Sequence, residues 1–101
     1  MAAVCFYTTT SATTAKARKD ITKIRHILDV KRVQYEEVDL TDRPERRMQM
    51  LEGSYGISVL PQVHVNGKLV GLADGIQEME DFGELTDVLK GMADPPPHLL
   101  E

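Results

Sequence analysis

Hydrophobic residues recur along this chain at two spacings, which divide its first part into strands and a helix. Strand-forming residues run from Ala3 to Tyr7 and again from Gln34 to Leu40. Between these runs, apolar residues at helical spacing alternate with charged ones, which predicts an amphipathic helix over residues 15–30. The apolar positions of this helix are Ala17, Ile21, Ile24 and Leu28. Two strands joined by one helix predict a right-handed parallel crossover.

A second helix is predicted to begin at Asp42-Arg43-Pro44-Glu45. Asp42 is placed to cap it, and Pro44 falls in the first turn, where its missing N–H costs nothing. Met48 and Leu51 are expected on its buried side, and the run Gly53-Ser54-Tyr55-Gly56 is expected to end it.

The segment from Leu60 to Gly71 predicts a β-hairpin. Asn66-Gly67 suits both central positions of a type I′ turn, and valines and leucines flank it. Pro61 cannot donate to a strand ladder, so it is expected at the start of the first strand.

Two shorter helices are predicted after the hairpin. The first begins near Asp74, which is placed as its N-cap, and has Ile76 and Met79 on its inner side. Gly83 separates it from a last helix, whose apolar residues are Leu85, Val88 and Leu89.

The 101 residues are enough for one hydrophobic core, and we expect a domain over residues 1–92 followed by a proline-rich tail over 93–101. No apolar run is long enough to span a bilayer, and the N-terminus lacks the basic start of a signal peptide. A single cysteine fits a reducing compartment. These features predict a cytoplasmic protein with no membrane partner.

The net charge of −4 conceals a strong asymmetry. Residues 1–50 hold ten Lys and Arg against seven Asp and Glu, whereas residues 51–101 hold two against nine. The basic residues of the predicted helix over 15–30 are interpreted as a solvated face rather than a nucleic-acid site, because the aromatic residues and high pI typical of such a site are absent.

Several segments resemble the glutaredoxin-related family of SH3-domain-binding glutamic-acid-rich-like proteins. They are the Thr/Ser loop after the first strand, the run Ile27-Leu28-Asp29-Val30-Lys31-Arg32-Val33-Gln34-Tyr35, and Leu60-Pro61-Gln62-Val63. The resemblance implies an α/β, thioredoxin-like (glutaredoxin) fold: a four-stranded mixed sheet of order 2-1-3-4 flanked by helices.

The resemblance also exposes a missing nucleophile. Glutaredoxins carry one or two cysteines between the first strand and the first helix, where the helix N-terminus lowers the thiol pKa. This chain has Ser11-Ala12-Thr13-Thr14 there, and hydroxyls without an adjacent base do not replace a thiolate. Ordinary thiol–disulfide exchange and iron–sulfur ligation by a cysteine in this loop are therefore excluded.

The chain's one cysteine, Cys5, is expected to be buried within the first strand and inert. His64 is expected on an antiparallel neighbouring strand, as a packing or surface residue. His26 and His98 form no metal-ligand spacing with it, so we predict no metal site.

The binding half of a glutathione site is retained, as the resemblance implies. Its relatives pair the residue before a cis-proline, here Leu60 before Pro61, with the tripeptide's backbone. Asp74 matches an acidic position that holds the γ-glutamyl end, although helix capping alone would also explain it. The candidate groove consists of Thr10, Ser11, Thr13, Leu60, Pro61 and Asp74.

The function predicted from these features is that of a non-catalytic glutaredoxin-like protein, a redox modulator or protein-binding adaptor, with glutathione as candidate ligand and no other cofactor. One alternative is a weak glutathione-dependent oxidoreductase that uses Cys5 or the thiol of glutathione itself. Another is a scaffold whose opposed charge patches contact unidentified protein partners. The Pro-Leu-Pro-Pro segment of the family's longer members is absent, and Pro95-Pro96-Pro97 is interpreted as a helix stop.

Overall fold

The predicted strands and helices are all present in the computed structural model, which describes residues 3–97. The strands are β1 (Val4–Thr8), β2 (Tyr35–Asp39), β3 (Gln62–Val65) and β4 (Lys68–Leu72). The helices are α1 (Ala15–Val30), α2 (Arg47–Gly53), α3 (Ala73–Asp81) and α4 (Leu85–Leu89), and a 3-10 turn (Pro44–Arg46) leads into α2.

The four strands form one mixed sheet of order β2-β1-β3-β4, which confirms the predicted topology. β1 runs parallel to β2 and antiparallel to β3, and β3 forms the hairpin with β4. Asn66 and Gly67 both have positive φ, 53° and 83°, as a type I′ turn requires.

Side chains alternate between the two faces of the sheet and form two hydrophobic clusters. The larger joins one face to α1, α3 and α4 and includes Val4, Phe6, Ile24, Ile76 and Leu85. The smaller lies on the α2 face and consists of Tyr7, Val38, Leu40 and Met50.

The start of the second helix differs from the prediction. Asp42 does not cap it, and the backbone N–H groups of Asp42 and Arg43 instead donate to the carbonyl of Asp39. Met48, expected inside, is 66% exposed, whereas Met50 is fully buried. The 3-10 turn has three residues per turn, so it rotates the following helix relative to a face counted at α-helical spacing. Leu51 is half-buried.

The prediction of Asp74 as an N-cap is also wrong. β4 continues directly into α3, the N-cap residue is Leu72, and no side chain caps the helix. Asp74 lies inside the first turn, where its negative charge interacts favourably with the helix dipole. Ile76 and Met79 are fully buried, as expected.

α4 ends at Leu89, and the described chain continues to Pro97. Residues 98–101 of the predicted tail lie outside the described residues. They include His98, so the prediction that His98 takes no part in a metal site stays a prediction. The domain boundary at residue 92 therefore stays a prediction. Among the helices within residues 3–97, none is both long and apolar enough to cross a membrane.

Gly53, at the end of α2, approaches the hairpin closely. A Cβ there would overlap the carbonyl oxygen of Gly67 and lie 2.8 Å from Nδ1 of His64. We expect Gly53→Ala to lower the free energy of unfolding by about 1–3 kcal/mol, because a rigid backbone atom blocks the added methyl. Urea unfolding measures this, with the exposed neighbour Glu52→Ala as control, expected within about 0.5 kcal/mol of the parent. Equal effects at both positions would contradict the close approach.

Candidate functional site

A small groove lies where the N-terminal turns of α1 and α3 meet the segment that enters β3. Its volume is about 260 Å³. The lining residues are Lys16 and Asp20 of α1, Val59, Leu60 and Pro61 before β3, and Leu72, Ala73, Asp74 and Gly75 at the β4–α3 junction.

The wall of this groove contains a cis Leu60–Pro61 peptide bond, as the resemblance implied. The side chain of Gln62, which is fully buried, holds the segment before it. Gln62 Nε2 donates to the carbonyl oxygen of Ile57 at 2.7 Å, and Ser54 Oγ donates to the same oxygen at 2.8 Å. The backbone that presents Leu60 is thus anchored to the sheet and to the end of α2.

The groove carries one cation and two carboxylates. Lys16 Nζ lies 2.7 Å from Asp20 Oδ2, and this hydrogen bond raises the pKa of Lys16, with a smaller contribution from Asp74. Asp74 offers an acceptor for an ammonium group, and the first-turn N–H groups of α3 beside it offer donors for a carboxylate. The lining therefore suits a zwitterionic ligand, and it contains no thiol.

The structure brings Leu60, Pro61 and Asp74 together in this groove, but Thr10, Ser11 and Thr13 are not among its lining residues. The Thr10 N–H donates to Asp39 Oδ1 at 3.1 Å, and Thr41 Oγ1 donates to Ser11 Oγ at 3.2 Å. These bonds hold the start of the loop against the end of β2. Thr13 is exposed and precedes Thr14, whose hydroxyl caps α1 by accepting from the Ala17 N–H.

Lys16 and Asp20 were not predicted as site residues. Their spacing of four residues at the start of a helix is the signal that points to an ion pair on one face. It does not show that the face borders a groove, because that depends on where α3 packs.

Cys5 lies on the other face of the sheet, against the cluster around Tyr7 and Met50. It is half-buried rather than fully buried as expected. Burial raises the pKa of the Cys5 thiol, a hydrogen bond from Tyr7 opposes this shift, and the charges of Glu36 and Arg46 have smaller, opposite effects. The net direction is the expected one, and it disfavours the nucleophilic thiolate.

His64 pairs with Cys5 across the β1–β3 ladder and is 2% exposed. Its Nε2 lies 2.7 Å from Gln62 Oε1, and the Tyr7 ring packs edge-on with the centroids 4.7 Å apart. Because the Gln62 amide nitrogen donates to Ile57, its oxygen is the acceptor, which assigns the proton of the neutral imidazole to Nε2. His64 is therefore a packing residue.

Within residues 3–97, no group of three or more His, Cys, Asp or Glu side chains is arranged to hold a metal ion. Over the same residues, no His or Lys makes a hydrogen bond to the side chains of Thr10, Ser11 or Thr13. The hydroxyl loop thus has no general base bonded to it.

The sheet order, the flanking helices and the cis-proline before β3 together define a thioredoxin-like fold. A solved structure of a buckwheat glutaredoxin–glutathione complex has this fold. It superposes with a TM-score of 0.67 at 17% identity and covers 94% of this chain and 83% of that one.

Sequence comparison identifies the family within this fold. The glutaredoxin family model matches residues 22–70. Glutaredoxin 1 of Rickettsia felis is 30% identical over 70 residues, which cover 68% of this chain and 69% of the relative. The chain belongs to the glutaredoxin family.

Glutaredoxin-3 of Mus musculus is 39% identical over 69 residues, or 68% of this chain. The match covers 20% of that relative, so this chain corresponds to about a fifth of the longer protein's length.

The buried His64 predicts a pH-dependent stability. Burial lowers the pKa of His64 to about 4, from 6.5 for the exposed side chain. Between these values the unfolded chain binds a proton that the folded one does not, so stability falls as pH decreases from about 6.5 to 4. The loss from this group is on the order of 2–3 kcal/mol. Urea unfolding across this range measures it, and an unchanged pH slope in the His64→Gln variant would assign the effect to another group.

Proposed function

We propose that this chain is a non-catalytic member of the glutaredoxin family that acts by binding, as a redox modulator or protein-binding adaptor. The observation that carries the proposal is the position of its one cysteine: Cys5 lies within β1, packs against the α2-face cluster, and is not among the lining residues of the candidate groove. The loop before α1, where the family's reactive thiol is expected, presents hydroxyls.

A ligand role for the groove is supported by its chemistry. Asp74, the start of α3 and the Leu60–Pro61 wall suit the amine, carboxylate and backbone of a small peptide. Glutathione is a tripeptide with these groups, and the buckwheat neighbour is a complex with it. We therefore propose glutathione as the ligand of Leu60, Pro61 and Asp74, with the Thr10, Ser11 and Thr13 loop beside it.

The resemblance to the SH3-domain-binding glutamic-acid-rich-like proteins supports a protein partner in the cytoplasm. Neither a membrane nor a nucleic acid is part of this proposal.

The absence of a presented thiol predicts no turnover in reduction of hydroxyethyl disulfide by glutathione, coupled to glutathione reductase. The chain and its Cys5→Ser variant should both remain at the protein-free rate, while a glutaredoxin with intact cysteines gives a large signal. Turnover abolished by Cys5→Ser would establish the oxidoreductase alternative through Cys5. Turnover retained in that variant would indicate an enzyme that uses the thiol of bound glutathione.

Binding itself is tested by titrating the ¹⁵N-labelled chain with reduced glutathione. We expect saturable amide shifts at Leu60 and Asp74, because the ligand lies against both. Asp74→Asn should weaken the affinity by about tenfold through loss of one charged contact. Asp81→Asn, at the exposed end of the same helix, is the matched control and should leave the affinity unchanged. A flat titration would remove glutathione from the proposal and leave the adaptor role.

A further inference from the structure

A second, wider groove lies at the opposite end of the sheet from the candidate glutathione groove. It is formed where the N-terminal part of β1, the chain between α1 and β2, and the end of α4 meet, and its volume is about 900 Å³. Its apolar lining includes Val4, Val33 and Leu89. We call this the α4 groove.

The rim of the α4 groove has uncompensated positive charge. Arg32 and Lys90 both line it and are exposed, and neither forms a salt bridge within residues 3–97. The neighbouring Lys31 differs, because its Nζ lies 2.6 Å from Glu80 Oε1.

The acidic residue of the lining does not neutralise this rim. The Glu36 carboxylate already contacts Arg43 at 3.2 Å and Arg46 at 3.1 Å. Its charge is thus balanced on the α2 side of the sheet, so the remaining charge of the groove favours an anionic partner.

The α4 groove also borders an open strand edge. β2 is an outer strand of the sheet, and the N–H of Leu40 donates to the Thr8 carbonyl at 3.0 Å. In a parallel strand, only every second residue directs its backbone N–H and C=O groups to a given neighbouring strand. Since Leu40 bonds to β1, the even-numbered residues of β2 do so as well. Tyr35 and Glu37 consequently direct their backbone N–H and C=O groups to the open edge, and Tyr35 lines the groove.

From these three features we infer that the α4 groove binds an extended peptide of a partner protein, with carboxylate side chains flanking a bulky apolar one. The peptide would pair with the β2 edge at Tyr35, its apolar side chain would enter the groove, and its carboxylates would meet Arg32 and Lys90. An open groove suits a peptide better than a small molecule, since small-ligand sites enclose most of the ligand surface. This inference does not depend on glutathione binding, which concerns the other end of the sheet.

The probe for the test is a synthetic peptide, acetylated and amidated, of sequence Thr-Glu-Val-Phe-Val-Glu-Thr, titrated into the ¹⁵N-labelled chain at low ionic strength. We expect saturable amide shifts centred on residues 33–36 and 89–90. A second probe with both glutamates replaced by lysine, and a third with N-methylated backbone amides, should each bind at least about tenfold more weakly, because the first loses the charge match and the second the strand pairing.

Charge reversal on the protein gives the complementary test. The double variant Arg32→Glu/Lys90→Glu should weaken binding of the first probe by about tenfold or more. The matched control is Lys19→Glu/Lys23→Glu on the exposed face of α1, which changes the net charge equally and should leave the affinity unchanged. Thermal unfolding of both variants verifies that they remain folded.

Three results would overturn the inference. The first is the absence of amide shifts at residues 33–36, and the second is an equal loss of peptide affinity in both charge-reversal variants. The third is a concentration-dependent dimer that only Arg32→Glu/Lys90→Glu dissociates, because a second copy of the chain would then occupy the groove.

Discussion

The hydrogen bonds of the buried Gln62 side chain are the interactions on which the candidate groove depends. It sits directly after the cis-proline, accepts from His64 on the same strand and donates to the Ile57 carbonyl in the loop before it. Ser54 binds that carbonyl as well, so the end of α2, the loop and β3 form one hydrogen-bonded unit. A buried polar group without a hydrogen-bond partner lowers the stability of the fold. Here the hydrogen bonds pair the polar atoms of Gln62 and also fix the backbone that presents Leu60.

The alternation of side chains along β1 keeps the thiol of Cys5 away from the candidate groove. Cys5 and Tyr7 point to the α2 face, where they lie beside His64 and pack with the cluster that contains Met50, whereas Phe6 points to α1 and α3. A shift of one residue would move the cysteine to the other face. The chain therefore keeps a sulfur in its sheet without presenting it at the groove, and the loop that follows β1 is bound through Asp39 and Thr41.

Much of this fold could be predicted from periodicity and turn chemistry. The bounds of α1 agree with the predicted residues 15–30, and Asn66-Gly67 turns the hairpin as expected. The errors arose at a local turn that the spacing of apolar residues does not show. Asp42 has the sequence context of a cap, but the Asp39 carbonyl binds the backbone there, and the 3-10 turn moves Met48 to the surface.

The candidate site was only partly predictable, because tertiary packing places part of it. Leu60, Pro61 and Asp74 follow a recognisable order, whereas Lys16 and Asp20 enter the groove through the packing of α1 beside α3. The burial of His64 was equally inaccessible, since it depends on Gly53 of α2 approaching the hairpin.

The two ends of the sheet carry opposite side-chain charges, and helix dipoles explain part of this pattern. The Asp74 carboxylate at the first turn of α3, and the cations just beyond α1 and α4, stabilise the helices at whose ends they lie. Stability alone, however, does not require those cations to remain unpaired. Lys31 satisfies the same dipole while bound to Glu80, whereas Arg32 and Lys90 face an apolar groove beside an open strand edge. Arg32 and Lys90 thus lack a salt-bridge partner within the described chain and lie where a second chain would supply one.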